Sequence, residues 1–139
     1  MKRILFDTNV VLDVLLERQP HVKASAAAWA IVESGRTEGM LAAHAVTTLH
    51  YLLRREIGTI KATRAIAALL TVFGVAEVNG AVVQEALHLT GADFEDAVTA
   101  AAARLASCEW IVTRDPKGFR SSLVRTLRPE ELEPLVGRG

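Results

Sequence analysis

Ile4-Leu5-Phe6-Asp7-Thr8-Asn9 is the stretch that decides the fold. Three consecutive apolar residues with few polar neighbours predict a strand buried on both faces, as in the middle of a parallel sheet. Asp7 ends this strand, and Thr8 and Asn9 are able to turn the chain and cap a helix that begins at Val10. We therefore expect Asp7 at the carboxyl end of a central strand, the edge at which open α/β sheets bind their ligands.

The composition limits the class of protein. The 139 residues suit one domain over residues 1–139, and half of them are apolar with few aromatics, as expected for helices packed closely on a sheet. Sixteen basic residues balance sixteen acidic ones, so any contact with nucleic acid must come from a local patch. The single Cys108 excludes an internal disulfide and fits a cytoplasmic location. We expect no signal peptide and no membrane-spanning run.

Segments typical of strands alternate with segments typical of helices along the whole chain. Beyond the first strand, we predict strands over 40–43, 75–78, 110–113 and 126–128, and helices over 10–18, 21–34, 46–57, 59–73, 81–89 and 97–107, with a last helical turn from Pro129. This alternation predicts a three-layer α/β/α fold with a central parallel sheet of four or five strands.

The five aspartates of the chain are distributed unevenly. Asp7 and Asp115 end predicted strands, Asp93 and Asp96 open a predicted helix, and Asp13 lies in the first helix. In a right-handed parallel sheet, strand ends and the following helix starts share one edge. We therefore expect Asp7, Asp96 and Asp115 to converge in one cleft.

A group of carboxylates at one edge favours a metal site. Such groups repel one another and raise each other's pKa, so the cluster is stable at neutral pH when a cation lies among them. Hard oxygen ligands without cysteine or paired histidines favour Mg²⁺ or Mn²⁺ over zinc. The chemistry that uses such a site is hydrolysis of a phosphodiester by a metal-bound water.

Each aspartate also has a purely structural interpretation. Asp93 is a good helix N-cap, and Asp96 lies in the first helical turn, where the helix dipole favours a carboxylate. Asp115 before Pro116 suits a turn, and Asp13 is interpreted as a solvated charge on a helix. Asp7 is the hardest to explain in this way, because it follows a strand that we expect to be buried.

Three blocks of the sequence together resemble the signature of the PIN domain family. They are Asp7-Thr8-Asn9-Val10, Asp93-Phe94-Glu95-Asp96-Ala97 and Val112-Thr113-Arg114-Asp115, and their order and spacing cover nearly the whole chain. Tyr51-Leu52-Leu53-Arg54-Arg55 also resembles a helix of small bacterial VapC-like toxins. The resemblance implies a Mg²⁺- or Mn²⁺-dependent endoribonuclease, a homodimer and a cognate antitoxin protein.

The resemblance also implies roles for single residues. Asp7 matches the first metal-binding acid of the family, Asp96 the third and Asp115 the fourth, with Asp93 as an extra acid. Asn9 and Thr113 match flanking polar positions that orient carboxylates or water.

The second family acid is missing. Thr48 stands at its place, in the predicted helix after the second strand, and no carboxylate follows until Glu56. Thr48 offers a hydroxyl to a metal-bound water but no charge, and His44, one turn earlier, shares its helix face. We therefore expect a weaker metal site unless Asp93 or Asp13 compensates.

Contact with RNA must come from a local group of basic residues. Arg114, Lys117 and Arg120 surround Asp115 and are the candidates for binding phosphates. Phe119 in the same loop is either a stacking platform for a base or, more simply, an anchor in the core.

Three functions remain open from the sequence. The first is a metal-dependent ribonuclease, as the toxin of a toxin–antitoxin pair, acting on single-stranded or structured RNA. The second is a phosphohydrolase with Asp7 as nucleophile, although the second aspartate usual two residues later is absent. The third is an inactive or weakened PIN-like module that binds RNA or a protein partner, as the Thr48 position suggests. Glycine signatures for nucleotide cofactors are absent.

Overall fold

The strands of the protein form one parallel sheet. A computed structural model describes residues 1–89, 91 and 93–137, and in these residues the sheet has five strands in the order β3-β2-β1-β4-β5, with every neighbouring pair parallel. The strands are β1 (Arg3–Phe6), β2 (Glu38–Ala42), β3 (Gly74–Ala76), β4 (Trp110–Val112) and β5 (Arg125–Leu127). The prediction of a parallel sheet of four or five strands is confirmed, and the strand that ends at Asp7 is central.

Helices cover both faces of this sheet. The α-helices of the described residues are α1 (Thr8–Leu15), α2 (Val22–Glu33), α3 (Ala43–Ile57), α4 (Thr59–Leu69), α5 (Gly80–Ala86), α6 (Phe94–Leu105) and α7 (Leu132–Val136), and short 3₁₀ turns span Pro116–Phe119 and Pro129–Glu131. None of these helices has the length and apolar character needed to cross a bilayer.

The alternation of side chains along β1 divides the core into two layers. Ile4 and Phe6 pack on one face, among apolar residues of α1, α2, α3 and α4, whereas Leu5 packs on the other face, against α5 and α6. All three side chains are at most 1% exposed. Because successive side chains of a strand point to opposite faces, a fully apolar strand requires cover on both sides, and the three-layer prediction is confirmed.

Helix α6 packs against β2 and β4 of the sheet, and its first turn carries Asp96. Its inward side is almost entirely alanine, with Ala97 and Ala100 to Ala103 all buried. Small side chains allow the helix backbone to approach the strands closely. Asp96, at the start of α6, is thereby held near the ends of β1 and β4.

Several boundaries differ from the predictions. Asp7 itself caps α1, which begins at Thr8, because the carboxylate accepts the Thr8 amide hydrogen. Helix α3 begins at Ala43, three residues before the first periodic apolar residue, Val46. Helix α4 ends at Leu69, and the residues to Phe73 form turns that place the Phe73 ring 5.0 Å from the ring of Phe6.

Candidate metal centre

Asp7 has a defined orientation at the carboxyl end of β1. Its Oδ1 accepts a hydrogen bond of 2.8 Å from the Thr8 amide, and its Oδ2 accepts one of 2.8 Å from the Thr113 hydroxyl. A carboxylate oxygen accepts more than one hydrogen bond, so both oxygens keep capacity for a further ligand. One hydrogen bond from the next residue and one from Thr113 at the end of β4 therefore fix the orientation of the Asp7 carboxylate at the carboxyl end of β1.

Thr113 joins two of the acidic segments through a single hydroxyl. Its side chain is fully buried at the end of β4. The hydroxyl donates to Asp7 Oδ2 and accepts a hydrogen bond of 3.0 Å from the Asp115 amide. The predicted orienting position is therefore occupied by a group that fixes Asp7 and the Asp115 backbone relative to each other.

Asp96 and Asp115 face a common space beside Gly118. A Cβ placed on Gly118 would lie 2.8 Å from Asp96 Oδ2 and 3.2 Å from Asp115 Oδ2. The two carboxylate oxygens are therefore no further apart than the sum of these distances, and the absence of a side chain at position 118 leaves the space between them open. The sequence alone assigned no role to this glycine.

Burial and the carboxylates at this edge raise the pKa of Asp96. Burial raises the pKa of Asp96 to about 6, and the negative charges of Asp7, Asp93, Glu95 and Asp115 add to this rise. A carboxylate responds in this way when its charged form has lost water and faces like charges.

The pKa of Asp7 is raised for the same reasons. Burial is the largest cause, and the charges of Glu95 and Asp115 contribute, while the hydrogen bonds from Thr113 and Thr8 act in the opposite direction. Asp7, Asp96 and Asp115 are called the acidic site below.

The donor set of the acidic site fits a hard, hydrated divalent ion. No group of three or more His, Cys, Asp or Glu side chains in residues 1–89, 91 and 93–137 is arranged as a ready-made cage for an ion. Mg²⁺ does not require such a cage, because it keeps several waters and is held by one or two carboxylates together with substrate phosphates. Asp96 and Asp115, with the open space at Gly118, provide this arrangement.

Asp93 and Glu95 surround the acidic site with further negative charge. Asp93 is the N-cap residue of α6 but its carboxylate makes no capping hydrogen bond, so the predicted cap is formed by position and backbone alone. Glu95, in the first turn of α6, influences both Asp7 and Asp96. Sequence reasoning missed Glu95, although the signal was present: it lies inside the quoted block, one residue before Asp96.

The interpretation of Asp13 as a solvated charge is wrong. Its side chain is completely buried, and Oδ2 accepts hydrogen bonds of 2.9 Å from Ser25 Oγ and 2.6 Å from Arg114 Nε. Buried charges require a partner, and Arg114 is that partner. The sequence signal for it was weak, because the two residues are far apart along the chain.

Arg114 is thus tied to the interior on one side. Its Nε is held by Asp13, and its amide lies 3.4 Å from Asn9 Oδ1, so Asn9 and Asp13 both hold the segment that follows β4.

The other predicted residues of this loop differ in exposure. Lys117 and Arg120 are exposed, whereas the Phe119 side chain is only 5% exposed. Phe119 is therefore the core anchor of the loop.

At the place of the missing acid, the Thr48 hydroxyl is directed at its own helix. It lies 3.4 Å from the backbone oxygen of His44, one turn earlier, to which it donates. His44 in turn approaches α6, with Nε2 3.3 Å from Thr99 Oγ1. No carboxylate of α3 replaces the second acid, since Glu56 lies two turns further along the helix.

The fold and the position of the acids together indicate the family of proteins to which the chain belongs. A parallel five-stranded sheet with acids from β1, α6 and the loop after β4 at its carboxyl edge matches the PIN domain, whose family model covers residues 3–117. The chain belongs to the PIN domain family.

Among individual proteins, the chain is similar to Ribonuclease VapC1 of Aquifex aeolicus (strain VF5), with 26% identity over 135 residues, 94% of this chain and 92% of that protein. The fold is also that of VapBC-1 from nontypeable Haemophilus influenzae (TM-score 0.73, 14% identity, 93% of this chain and 99% of that chain). FitAcB from Neisseria gonorrhoeae is similar as well (TM-score 0.72, 23% identity, 93% and 99%).

Proposed function

We propose that this PIN domain protein is a metal-dependent endoribonuclease that uses Mg²⁺ or Mn²⁺. The observation that carries the proposal is the meeting of Asp7, Asp96 and Asp115 at one edge, with the pKa of Asp96 raised to about 6. Three neighbouring carboxylates without a positive partner lower the stability of a folded protein unless a cation offsets their repulsion. The named relative is a ribonuclease, which supports RNA as the substrate.

The residues divide the work of hydrolysis. Asp96 and Asp115 would hold the ion beside Gly118, and Asp7, oriented by Thr113, would complete its surroundings. When bound, the ion supplies a water of lowered pKa and offsets charge on the leaving oxygen. Hydrolysis of the phosphodiester would join the oxygen of a water to phosphorus and break the bond from phosphorus to one chain oxygen, which would take up a proton given up by the water.

The substrate would approach along the loop after β4. Lys117 and Arg120 are exposed in the loop that begins at Asp115, and we infer that they pair with phosphates of the RNA. The Nε of Arg114 is engaged by Asp13, so Arg114 contributes at most its outer nitrogens. Phosphate contacts of this kind position RNA without reading its sequence.

Substitution of single acids tests this function. Asp7→Asn or Asp96→Asn should lower Mn²⁺-dependent cleavage of single-stranded RNA by about 100-fold or more, because a carboxylate of the site loses its charge. Glu109→Gln is the matched control. Glu109 directly precedes β4, pairs with Lys2, and lies at the amino end of the strands, away from the acidic site. Circular dichroism checks the fold of each variant. Cleavage that persists in EDTA, or in both site variants, contradicts the proposal.

A second function has one observation in its favour. Without an acid at position 48, the chain would be a weakened or inactive PIN-like module that binds RNA or a protein partner. The same assay separates the two functions: RNA that binds with Asp96-independent affinity and is never cleaved supports the inactive module.

We further propose that the protein is a cytoplasmic toxin that forms a homodimer and is neutralised by an antitoxin protein. Similar structures include a toxin–antitoxin complex from Klebsiella pneumoniae, with a TM-score of 0.70. Expression in a bacterial host should arrest growth, and Asp96→Asn should relieve the arrest.

Size-exclusion chromatography with light scattering measures the oligomeric state, and a monomer at micromolar concentration contradicts the homodimer.

A further inference from the structure

Helices α3 and α4 pack against each other as a hairpin that carries a local positive charge. Residues 43–69 contain four basic residues and one acidic residue, Glu56, in a chain whose overall charge is zero. The basic residues are Arg54, Arg55, Lys61 and Arg64, and all of them are exposed. None of them belongs to an ion pair within the part of the chain that the structure describes. The hairpin therefore presents positive charge that the rest of the fold does not neutralise.

An exposed aromatic ring lies beside two of these charges. Tyr51 in α3 is 50% exposed, and the guanidinium carbons of Arg54 and Arg55 lie 5.6 Å and 5.8 Å from the centroid of its ring. Proteins that bind single-stranded nucleic acid stack unpaired bases on exposed aromatic rings and pair the neighbouring phosphates with basic side chains. Tyr51, Arg54 and Arg55 supply both kinds of group within about one helical turn, and they are called the α3 platform below.

The topology places α3 and the basic loop after β4 on opposite sides of Asp7. The strand that ends at Asp7, β1, lies between β2 and β4 in the sheet. Helix α3 follows β2, whereas Lys117 and Arg120 follow β4. Because the elements that follow parallel strands begin at one edge of the sheet, α3 and this loop both begin at the edge of the acidic site.

The side of α3 that carries the platform starts beside α6. Nε2 of His44, in the first turn of α3, lies 3.3 Å from Oγ1 of Thr99, which lies one turn after Asp96 on α6. Tyr51 and Arg55 follow His44 by about two and three helical turns, so the three residues lie along one side of α3. Tyr51 is about 10 Å further along the helix axis than His44. The platform therefore continues the side of α3 that contacts α6 and extends it away from that contact.

We propose that the α3 platform binds single-stranded RNA, with one unpaired base stacked on Tyr51 and phosphates paired with Arg54 and Arg55. The carboxylates of the acidic site repel phosphates, so the RNA chain must be held by cationic surfaces outside that site. The loop with Lys117 and Arg120 is one such surface, and the α3 platform is the second. This inference rests on the proposed function for its choice of RNA as the ligand.

A second copy of the chain fits the platform less well than RNA does. A symmetric dimer brings the same surface of both subunits together, so the basic hairpin would meet its own positive charge. Like charges across an interface weaken binding, whereas a polyanion gains from the same charges. The charge of the hairpin therefore favours RNA as the occupant.

Binding of an unstructured RNA in EDTA tests the role of Tyr51, because the proposed cleavage requires a divalent ion. Fluorescence anisotropy with a labelled single strand of about 12 uridines should give a Kd raised about fivefold or more in Tyr51→Leu and changed less than about twofold in Tyr51→Phe. The reason is that leucine has no ring on which a base stacks, whereas phenylalanine keeps one. Circular dichroism checks the fold of both variants. Equal Kd values for Tyr51→Leu and the unaltered protein overturn the inference.

The salt dependence of the same binding tests the two arginines. The slope of log Kd against log salt concentration should decrease by about 0.7 in Arg54→Ala and again in Arg55→Ala, since each variant loses one phosphate contact with a single strand. Arg125→Ala is the matched control, because Arg125 is exposed at the start of β5, at the amino end of the strands. This control should leave the slope unchanged. Slopes that are equal in the control and in both hairpin variants overturn the inference.

Two results separate the α3 platform from a protein interface and from the proposed cleavage. If Tyr51→Leu leaves RNA binding unchanged and converts a dimer to a monomer in light scattering, the platform contacts a second copy and the inference is overturned. If RNA binds through Tyr51 in EDTA but is never cleaved with Mn²⁺, the proposed hydrolysis fails while the inference is supported.

Discussion

Among single residues, Asp96 shows most clearly the effect of burial and of repulsion between the carboxylates of the site. Its pKa is raised from the usual value of 3.8 to about 6, with burial as the largest cause. The folded protein therefore holds this proton over a range in which the unfolded chain has lost it. Between these two values the folded state binds more protons, so the stability of the metal-free protein falls as the pH rises.

This difference predicts a measurable pH dependence. In EDTA, the melting temperature should decrease as the pH rises from about 4 to about 6.5, and added Mn²⁺ should restore it above pH 6 by binding the ionised carboxylates. Asp96→Asn should flatten most of this decrease, and the raised pKa of Asp7 should leave a smaller one. Differential scanning fluorimetry measures both curves. A slope in Asp96→Asn equal to that of the unaltered protein contradicts the account.

At the scale of the element, one buried ion pair fixes the segment after β4. Asp13 in α1 holds Arg114 Nε at 2.6 Å, and Ser25 in α2 supplies a second hydrogen bond to the same oxygen. Arg114 is preceded by Thr113, which orients Asp7, and followed by Asp115. The pair therefore connects two helices to the loop that carries one acid of the site.

Loss of this pair should affect both the fold and the site. Asp13→Asn keeps the size of the side chain but removes its charge, and we expect a loss of about 2 kcal/mol in the free energy of unfolding, below the range for fully buried pairs because Arg114 is partly exposed. Mn²⁺ affinity should fall as well, because the loop loses its anchor.

Urea denaturation and calorimetry measure these two effects. Glu109→Gln serves as the control for a surface pair and should change stability by less than about 0.5 kcal/mol. Asp13→Asn that is as stable as this control contradicts the anchoring role.

At the scale of the whole molecule, periodicity and strand-end chemistry were sufficient to predict the fold. The apolar run 4–6 predicts a buried central strand, and the geometry of parallel sheets predicts that the acids at 7, 96 and 115 lie at one edge of the sheet. Element boundaries were less predictable: α3 begins without a side-chain cap, so no residue type marked its start.

The contacts that the sequence did not predict join residues that are far apart along the chain and close together in the folded protein. The burial of Asp13 depends on a residue 101 positions later, and the contact between His44 and Thr99 joins residues 55 positions apart. Gly118 acquires its role only when Asp96 and Asp115 meet beside it. Local sequence patterns carry no record of such contacts.

The central claim is that acids remote along the chain share one divalent ion. Crystals of the protein soaked in MnCl₂ at neutral pH and measured for anomalous scattering test this claim most directly. We expect one strong peak beside Gly118, within about 2–2.5 Å of a carboxylate oxygen of Asp96 or Asp115. A map with no peak at this edge, at a Mn²⁺ concentration that supports RNA cleavage, would contradict the claim.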